Sequence, residues 1–217
     1  VTADKDVTIT VTGAEGEQVV RAELPAVVPA PEKSFVDVPR DHWAWEAVQT
    51  VAGLGLVKGV GEDRYDARAL MTRGSLATVL CRLSNGAPSG ETDFADVDRK
   101  GWYADGISWA AKNSVVQGVG GVGQKLFWPN DVITREQLAV MLCRYAGLLG
   151  MNTQAERDGL DQFGDGAQTS EWALDEVAWC VEKGILRGKG NGTLDPGADV
   201  SRGEVAIMLQ RFVELMR

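Results

Sequence analysis

Three arginines occupy the same place in three copies of a short motif, and their chemistry suits them to bind an anion. The copies read Thr72-Arg73-Gly74-Ser75, Thr134-Arg135-Glu136-Gln137 and Ser201-Arg202-Gly203-Glu204. In the second and third copies a hydroxyl residue is followed three positions later by Gln or Glu, a spacing typical of a capping box that predicts a helix start. The arginine then falls at the first helical position, where a cation opposes the positive end of the helix dipole. Helix stability therefore does not explain its presence.

A helix start of this kind offers an anion three favourable features. Unpaired backbone N–H groups, the positive dipole end and a guanidinium together suit a carboxylate or a phosphate. Two other interpretations stay open: each arginine pairs with an acid of its own repeat, or the arginines persist only because the motif was duplicated. The candidate acids are Asp37, Asp96 and Asp165. If the arginines bind an anion, we expect their loss to weaken ligand binding with little loss of stability.

The arginine motif closes a longer repeat of roughly 60 residues. Each copy begins with an aromatic-x-Asp segment. A tryptophan then starts a stretch with helical periodicity, and this stretch ends at a basic or amide residue followed by glycine. The tryptophans are Trp43, Trp102 and Trp172, and the pairs that end the first helical pattern are Lys58-Gly59, Gln117-Gly118 and Arg187-Gly188. Apolar residues recur at three- and four-residue steps in both helical patterns of a repeat. The sequence predicts a mainly α fold of three helix-loop-helix repeats that cover one another's apolar faces.

Composition excludes several classes of protein. The chain has 217 residues, of which 44% are hydrophobic and 24% charged, so it can bury a substantial core. A net charge of -9 opposes nonspecific binding to nucleic acid or to an anionic membrane. No apolar run is long enough to predict membrane insertion, and the first residues lack a signal pattern, so we expect a portion of a longer protein. The three cysteines show no metal-ligand spacing and are predicted to be buried.

Residues 1–33 differ from the rest of the chain. Residues 7–12 and 18–24 alternate apolar and polar side chains, which predicts two strands. Pro25, Pro29 and Pro31 then predict a stiff, extended connector. We interpret this segment as the end of an upstream β region plus a linker, followed by repeats at 34–90, 91–160 and 161–217 that form one domain.

Taken together, these motifs resemble the S-layer homology domain family over residues 34 to 217. The resemblance rests on the aromatic-x-Asp segments, the tryptophans, the glycine pairs, the loop Gly192-Thr193-Leu194-Asp195-Pro196 and the opening Ile133-Thr134-Arg135-Glu136. It implies a pseudo-threefold, three-pronged helical bundle that works as a monomer, without a cofactor or a metal. It also implies noncovalent anchoring of a bacterial surface protein to secondary cell wall polysaccharide, through a pyruvylated amino sugar, at the cell wall or S-layer.

The resemblance assigns roles to particular residues. The helix-opening arginines would meet the pyruvyl carboxylate, Lys58 and Arg187 would add cationic contacts, and the paired glycines would let the sugar approach the backbone. The tryptophans are candidates for sugar stacking, although their place on the apolar arc favours the core. Further candidates are the loop residues predicted to line the grooves. The full set is Arg73, Arg135, Arg202, Lys58, Gln117, Arg187, Gly59, Gly118, Gly188, Asp37, Asp96, Asp165, Tyr65, Phe127, Leu194, Trp43, Trp102 and Trp172.

No copy carries the intact family motif Thr-Arg-Ala-Glu, which predicts unequal grooves. Repeat one has Ser75 and Ala67 where the box partner and the loop proline belong, and repeat two has neutral Gln117 in place of a cation. We therefore expect the groove that holds Arg202 to bind best. Two rival functions remain: a protein-docking scaffold that has lost its ligand, and a carbohydrate-active enzyme. The enzyme is disfavoured because symmetry-related acids should lie too far apart to flank one bond.

Overall fold

The computed structural model describes residues 34–86, 91–119 and 125–217. The strands and the proline linker predicted within residues 1–33 lie outside these ranges. Across the described residues the regular structure is helical, with isolated β-bridges and no extended strand. The predicted mainly α fold is thus confirmed. No helix of the described ranges is long and apolar enough to cross a membrane.

Each repeat contributes two α-helices. The helices are α1 (Trp45–Gly53) and α2 (Arg73–Leu83) in repeat one, α3 (Ala104–Lys112) and α4 (Arg135–Leu148) in repeat two, and α5 (Leu174–Glu182) and α6 (Arg202–Leu215) in repeat three. Three short 3-10 turns, at Arg157–Leu160, Gly166–Gln168 and Glu171–Ala173, precede α5. One pair of α-helices therefore lies within each of the three repeats.

Local sequence explains where these helices begin and end. Thr72, Thr134 and Ser201 cap the second helices by accepting from the third backbone N–H, and the last two form complete capping boxes. After α1 and α5, the first helices of repeats one and three, the chain reverses direction at Gly55 and Gly184. Their φ angles of +69° and +67° favour glycine. The sequence predicted these glycine caps.

The three repeats meet at a ring of backbone hydrogen bonds just before the second helices. Met71 N–H donates to the carbonyl of Val200 at 2.9 Å, Val200 N–H to that of Ile133 at 3.1 Å, and Ile133 N–H to that of Met71 at 2.9 Å. All three side chains are buried. Because each repeat donates to one neighbour and accepts from the other, the ring marks the pseudo-threefold axis of the fold.

The helices pack between repeats in the same cyclic order. The first helix of each repeat contacts the second helix of the repeat before it, giving the pairs α2 with α3, α4 with α5 and α6 with α1. The buried core runs through all three pairs, and Tyr145 and Phe212 lie in ring contact at 5.8 Å. The cysteines Cys81, Cys143 and Cys180 are buried and unpaired, as predicted. Among the described residues, the helices therefore cover their apolar faces mainly by packing on a neighbouring repeat.

Candidate ligand-binding grooves

Each helix-opening arginine reaches across a repeat boundary. Arg73 Nε donates to the Phe127 carbonyl at 2.9 Å, and Arg135 Nε donates to the Leu194 carbonyl at 2.8 Å. In the same way, Arg202 Nε donates to the carbonyl of Tyr65 at 3.0 Å. The guanidinium of one repeat is thus fixed by the loop of the next, in the cyclic order of the helix packing.

A second donor of each guanidinium is also occupied. Nη2 of Arg135 donates to the Arg187 carbonyl at 2.7 Å, and Nη2 of Arg202 donates to the Lys58 carbonyl at 2.8 Å. Arg73 instead donates through Nη1 to Oε1 of Gln137 at 3.2 Å. Within the described residues the remaining Nη atom of each arginine has no protein partner and is not sealed from solvent. One terminal nitrogen per arginine is therefore available to a ligand.

The three acids at equivalent positions of the repeats do not pair with the arginine of their own repeat. Asp165 accepts from the backbone N–H groups of Leu194 and Asp195 at 2.7 and 2.8 Å. Asp37 and Asp96 bind the corresponding loops of their repeats in the same manner. The N–H donors of the Leu194 loop hold the pKa of Asp165 below its usual range, against a smaller opposing effect of burial. The acids are therefore loop anchors, and the pairing considered from the sequence is wrong.

One feature expected of the anion site is absent: the backbone N–H groups at the helix starts are already bonded. In α4, the N–H groups of Arg135 and Glu136 donate to the carbonyls of Ala198 and Pro196, both at 2.9 Å, and that of Gln137 to the Thr134 hydroxyl. The same arrangement occurs at α2 and α6. The neighbouring repeat thus consumes the donors that sequence reasoning assigned to a ligand. The guanidinium remains the cationic group at these helix starts.

The loop residues predicted to line the grooves are instead buried. Tyr65, Phe127 and Leu194 each have no exposed surface, so their side chains do not line a groove, whereas their carbonyls accept from the arginines. The rings of Tyr65 and Phe127 also lie 4.8 Å from the guanidinium carbons of Arg202 and Arg73. The role of the carbonyls was not predictable from the sequence, because a backbone acceptor is independent of residue type.

The paired glycines have a structural requirement of their own. A Cβ atom at Gly59 would lie 2.5 Å from the Arg64 carbonyl and 2.9 Å from the Phe35 ring. Gly118 and Gly188 face equivalent carbonyls and phenylalanine rings at 2.8 to 3.0 Å. Glycine is therefore needed to close each loop, whether or not a sugar approaches it.

The tryptophans are exposed, contrary to the expectation that they belong to the core. Trp43, Trp102 and Trp172 are 53%, 64% and 54% exposed. The helices begin two residues later than predicted, so these side chains precede the helical arc on which the sequence pattern placed them. Their exposure makes them available as stacking surfaces.

One groove of about 400 Å³ combines residues from all three repeats. It is lined by Arg73 of repeat one, Gln117 and Gln137 of repeat two, and Trp172 of repeat three. The other two arginines combine with equivalent residues: Arg135 with Arg187, and Arg202 with Lys58. Sequence reasoning treated Gln137 only as a capping residue and missed its place in the groove.

Arg73 and Arg135 are buried, whereas Arg202 is partly exposed. The first two are 6% and 5% exposed, and burial lowers their pKa while nearby carboxylates raise it. Arginine remains protonated even when its pKa falls in this way. Within the described ranges, no group of three or more His, Cys, Asp or Glu side chains could hold a metal ion.

Fold and grooves together define a cyclic module of three helical repeats with a cation at each repeat boundary. The chain belongs to the S-layer homology domain family, whose model matches residues 34–77, 93–139 and 162–206, more than half of the sequence. Domains of this family are anchoring modules of cell-surface proteins. The membership predicted from the motifs is confirmed.

Curated relatives include both enzymes and surface-layer proteins. An amylopullulanase of Thermoanaerobacterium thermosulfurigenes is 31% identical over 186 residues, which cover 84% of this chain and 10% of the relative. The surface-layer 125 kDa protein of Lysinibacillus sphaericus is 27% identical over 175 residues, 79% of this chain and 14% of that protein. The S-layer protein sap of Bacillus anthracis is 28% identical over 180 residues, 82% of this chain and 21% of that protein. The chain thus corresponds to a small part of each relative.

Proposed function

We propose that this chain anchors a surface protein to a bacterial cell wall by binding secondary cell wall polysaccharide, and that the bound unit is a pyruvylated amino sugar. The module would act outside the cell, at the wall or S-layer, without catalysing a reaction. Any enzymatic activity of the whole protein would belong to other domains. The relatives support this division, because similar modules occur in proteins named as enzymes and in proteins named as surface layers.

The free terminal nitrogen of each helix-opening arginine is the observation that carries the proposal. Each guanidinium is oriented by its bonds to neighbouring backbone or side-chain oxygens, so a ligand does not have to pay for ordering it. Those bonds neutralise none of its charge. A ligand carboxylate, such as that of a pyruvate ketal, would supply both the missing acceptor and the missing negative charge.

The exposed indoles support a saccharide over other anions. Trp172 forms part of the wall of the groove that contains Arg73. A pyranose ring presents an apolar face that can pack on an indole, while its hydroxyl and amide groups can bond to polar residues such as Gln117 and Gln137. A small inorganic anion would leave the indole unused.

The three grooves differ in charge, and the structure changes how their residues are grouped. The neutral Gln117 should lower the anion affinity of the groove of Arg73 rather than that of Arg135, because it lines the same groove as the arginine of the preceding repeat. Arg202 donates to the carbonyl of Lys58. The fourth residue of the helix-opening motif is neutral Ser75 at α2 but acidic Glu204 at α6. We therefore propose that the groove of Arg202 and Lys58 binds a carboxylated sugar most strongly.

Sedimentation with purified cell walls tests the anchor. The chain should sediment with intact walls and remain in solution after acid extraction of their secondary polysaccharide. Arg202→Lys, which keeps the charge but changes the fork of donors, should reduce binding per folded molecule. Arg217→Ala, which removes an exposed positive charge at the end of the chain, should not. Sedimentation that survives the extraction would reject the proposal and favour a protein-docking scaffold.

A further inference from the structure

Glu136 is a buried carboxylate at a helix position where the other two repeats carry glycine. It is the second residue of α4, and its counterparts in α2 and α6 are Gly74 and Gly203. The side chain is 8% exposed and accepts two hydrogen bonds from one residue: Ser170 N–H at 3.0 Å and the Ser170 hydroxyl at 2.9 Å. Both carboxylate oxygens are therefore committed to a single point in the next repeat.

Ser170 opens the turn that carries Trp172. The 3-10 turn spans Glu171–Ala173, and Ala173 N–H closes it by donating to the Ser170 carbonyl at 2.8 Å. This segment is one residue longer than its counterparts, because seven positions separate Asp165 from Trp172 whereas six separate Asp37 from Trp43. The longer loop, in repeat three, is thus the one that Glu136 of repeat two holds.

At Gly203, one of the two glycine positions, the tryptophan is supported by direct contact with the helix. A Cβ atom at Gly203 would lie 2.6 Å from Cη2 of Trp43, so that indole rests against the first turn of α6 and occupies the space of a side chain. At the equivalent place in α4 the Glu136 side chain fills the space. Trp172 therefore needs a different support, and the bonds to Ser170 provide it.

We propose that Glu136 is a positioning residue that fixes Trp172 as the stacking wall of the groove containing Arg73. The inference rests on the proposed function, because it takes the ligand of this groove to be a saccharide. This groove has Gln117 where the other two have a cation, so packing of the sugar on the indole supplies more of its affinity. A tether that orders the indole before binding lowers the entropy cost of that contact.

The first experiment asks whether Glu136 orders Trp172 without any ligand. The seven tryptophans are labelled with 5-fluorotryptophan, and the Trp172 resonance is assigned by its absence in Trp172→Phe. Glu136→Gly, which installs the residue of the other repeats, should shift or broaden this resonance and leave that of Trp43 in place. Glu136→Gln keeps one acceptor for Ser170 and should give an intermediate change.

A matched control separates the tether from general support of the turn. Arg157 forms ion pairs with Glu171 and Asp175 beside the same turn, but these side chains are largely exposed. Exposed pairs contribute little, so Arg157→Ala should leave the Trp172 resonance unchanged. If Glu136→Gly fails to fold, Ser170→Ala removes only the hydroxyl bond and should still broaden the resonance. An unchanged Trp172 resonance in the folded Glu136 and Ser170 variants rejects the positioning role.

The second experiment follows binding through the same resonance, using a pyruvylated N-acetylhexosamine monosaccharide as the probe. In the wild-type protein the sugar should shift Trp172, and Glu136→Gly should raise the Kd reported by this shift about five- to tenfold. The Arg157→Ala control should keep the wild-type Kd. An unchanged Kd in Glu136→Gly overturns the inference even if the indole has moved. If the sugar never shifts the Trp172 resonance of the wild-type protein, the saccharide function of this groove is rejected. That outcome is distinct from an unchanged Trp172 resonance in the ligand-free variants, which rejects only the positioning role of Glu136.

Discussion

Replacing Arg135 by alanine should destabilise the protein, which reverses the expectation from its sequence position. The side chain is 5% exposed and donates to the carbonyls of Leu194 and Arg187 at 2.8 and 2.7 Å. Hydrogen bonds to a charged group contribute roughly 1.5 to 3 kcal/mol each. Removal of the cation relieves the unfavourable interaction with the helix dipole, worth about 0.3 to 1 kcal/mol, and part of the desolvation cost. We expect a net loss of about 2 to 4 kcal/mol of unfolding free energy.

Chemical denaturation followed by circular dichroism measures this loss. For a chain of this size, 1 kcal/mol corresponds to a shift of about 2 to 4 °C in Tm, so thermal unfolding should move by roughly 5 to 15 °C. Arg187→Ala removes an exposed side chain but leaves its carbonyl in place, and it should change stability by less than about 0.5 kcal/mol. A loss below about 1 kcal/mol for Arg135→Ala, close to the control, would refute the structural role of the guanidinium.

The remaining predictions address loop anchoring, loop closure and groove charge. Because the pKa of Asp165 is lowered in the folded state, its stabilisation is present above the ordinary carboxyl value of 3.8 and is lost as the pH falls through the lower folded value. Asp165→Asn should therefore reduce stability at neutral pH and flatten its decline in acid, as measured by urea unfolding between pH 2 and 7; an unaltered acid limb would contradict this. Gly59→Ala should cost about 1 to 3 kcal/mol through its clash with a loop carbonyl, whereas Gly61→Ala, with nothing near its Cβ, should be nearly neutral; equal costs would show that the loop gives way. In calorimetric titration with a pyruvylated monosaccharide, stoichiometry should fall below three and Arg202→Ala should reduce binding more than Arg73→Ala, because Arg202 is bonded to the backbone of a cationic residue, Lys58, whereas Arg73 shares its groove with neutral Gln117; three equivalent sites would rule this out.

Capping and helical period were sufficient to predict most of the secondary structure. The boxes at Thr134 and Ser201 place the starts of α4 and α6, because a cap depends on residues within one turn of each other. The same reasoning did not predict the exposure of the tryptophans. Their apolar character suggested the core, but Trp102 lies two residues before Ala104, where α3 begins, so its direction is not set by helical periodicity.

The candidate site was only partly predictable. The sequence singled out the helix-opening arginines, since a cation at that position lacks a local explanation. It did not predict that the first N–H groups of α4 are bonded to the Pro196 and Ala198 carbonyls, nor that Arg135 is oriented by the Leu194 carbonyl. Backbone acceptors carry no residue-specific signal, and these partners lie about 60 residues away.

The sequence by itself determined the repeats, the helix starts and the identity of the cation at each boundary, because these depend on short-range spacing and side-chain chemistry. Only the tertiary structure decided which residues share a groove. Arg73 meets Gln117 and Trp172 because every first helix packs on the second helix of the preceding repeat, which closes the three repeats into a ring. The packing is cyclic because the helices of each repeat bury apolar faces against both neighbouring repeats, and the composition of each groove follows from that packing.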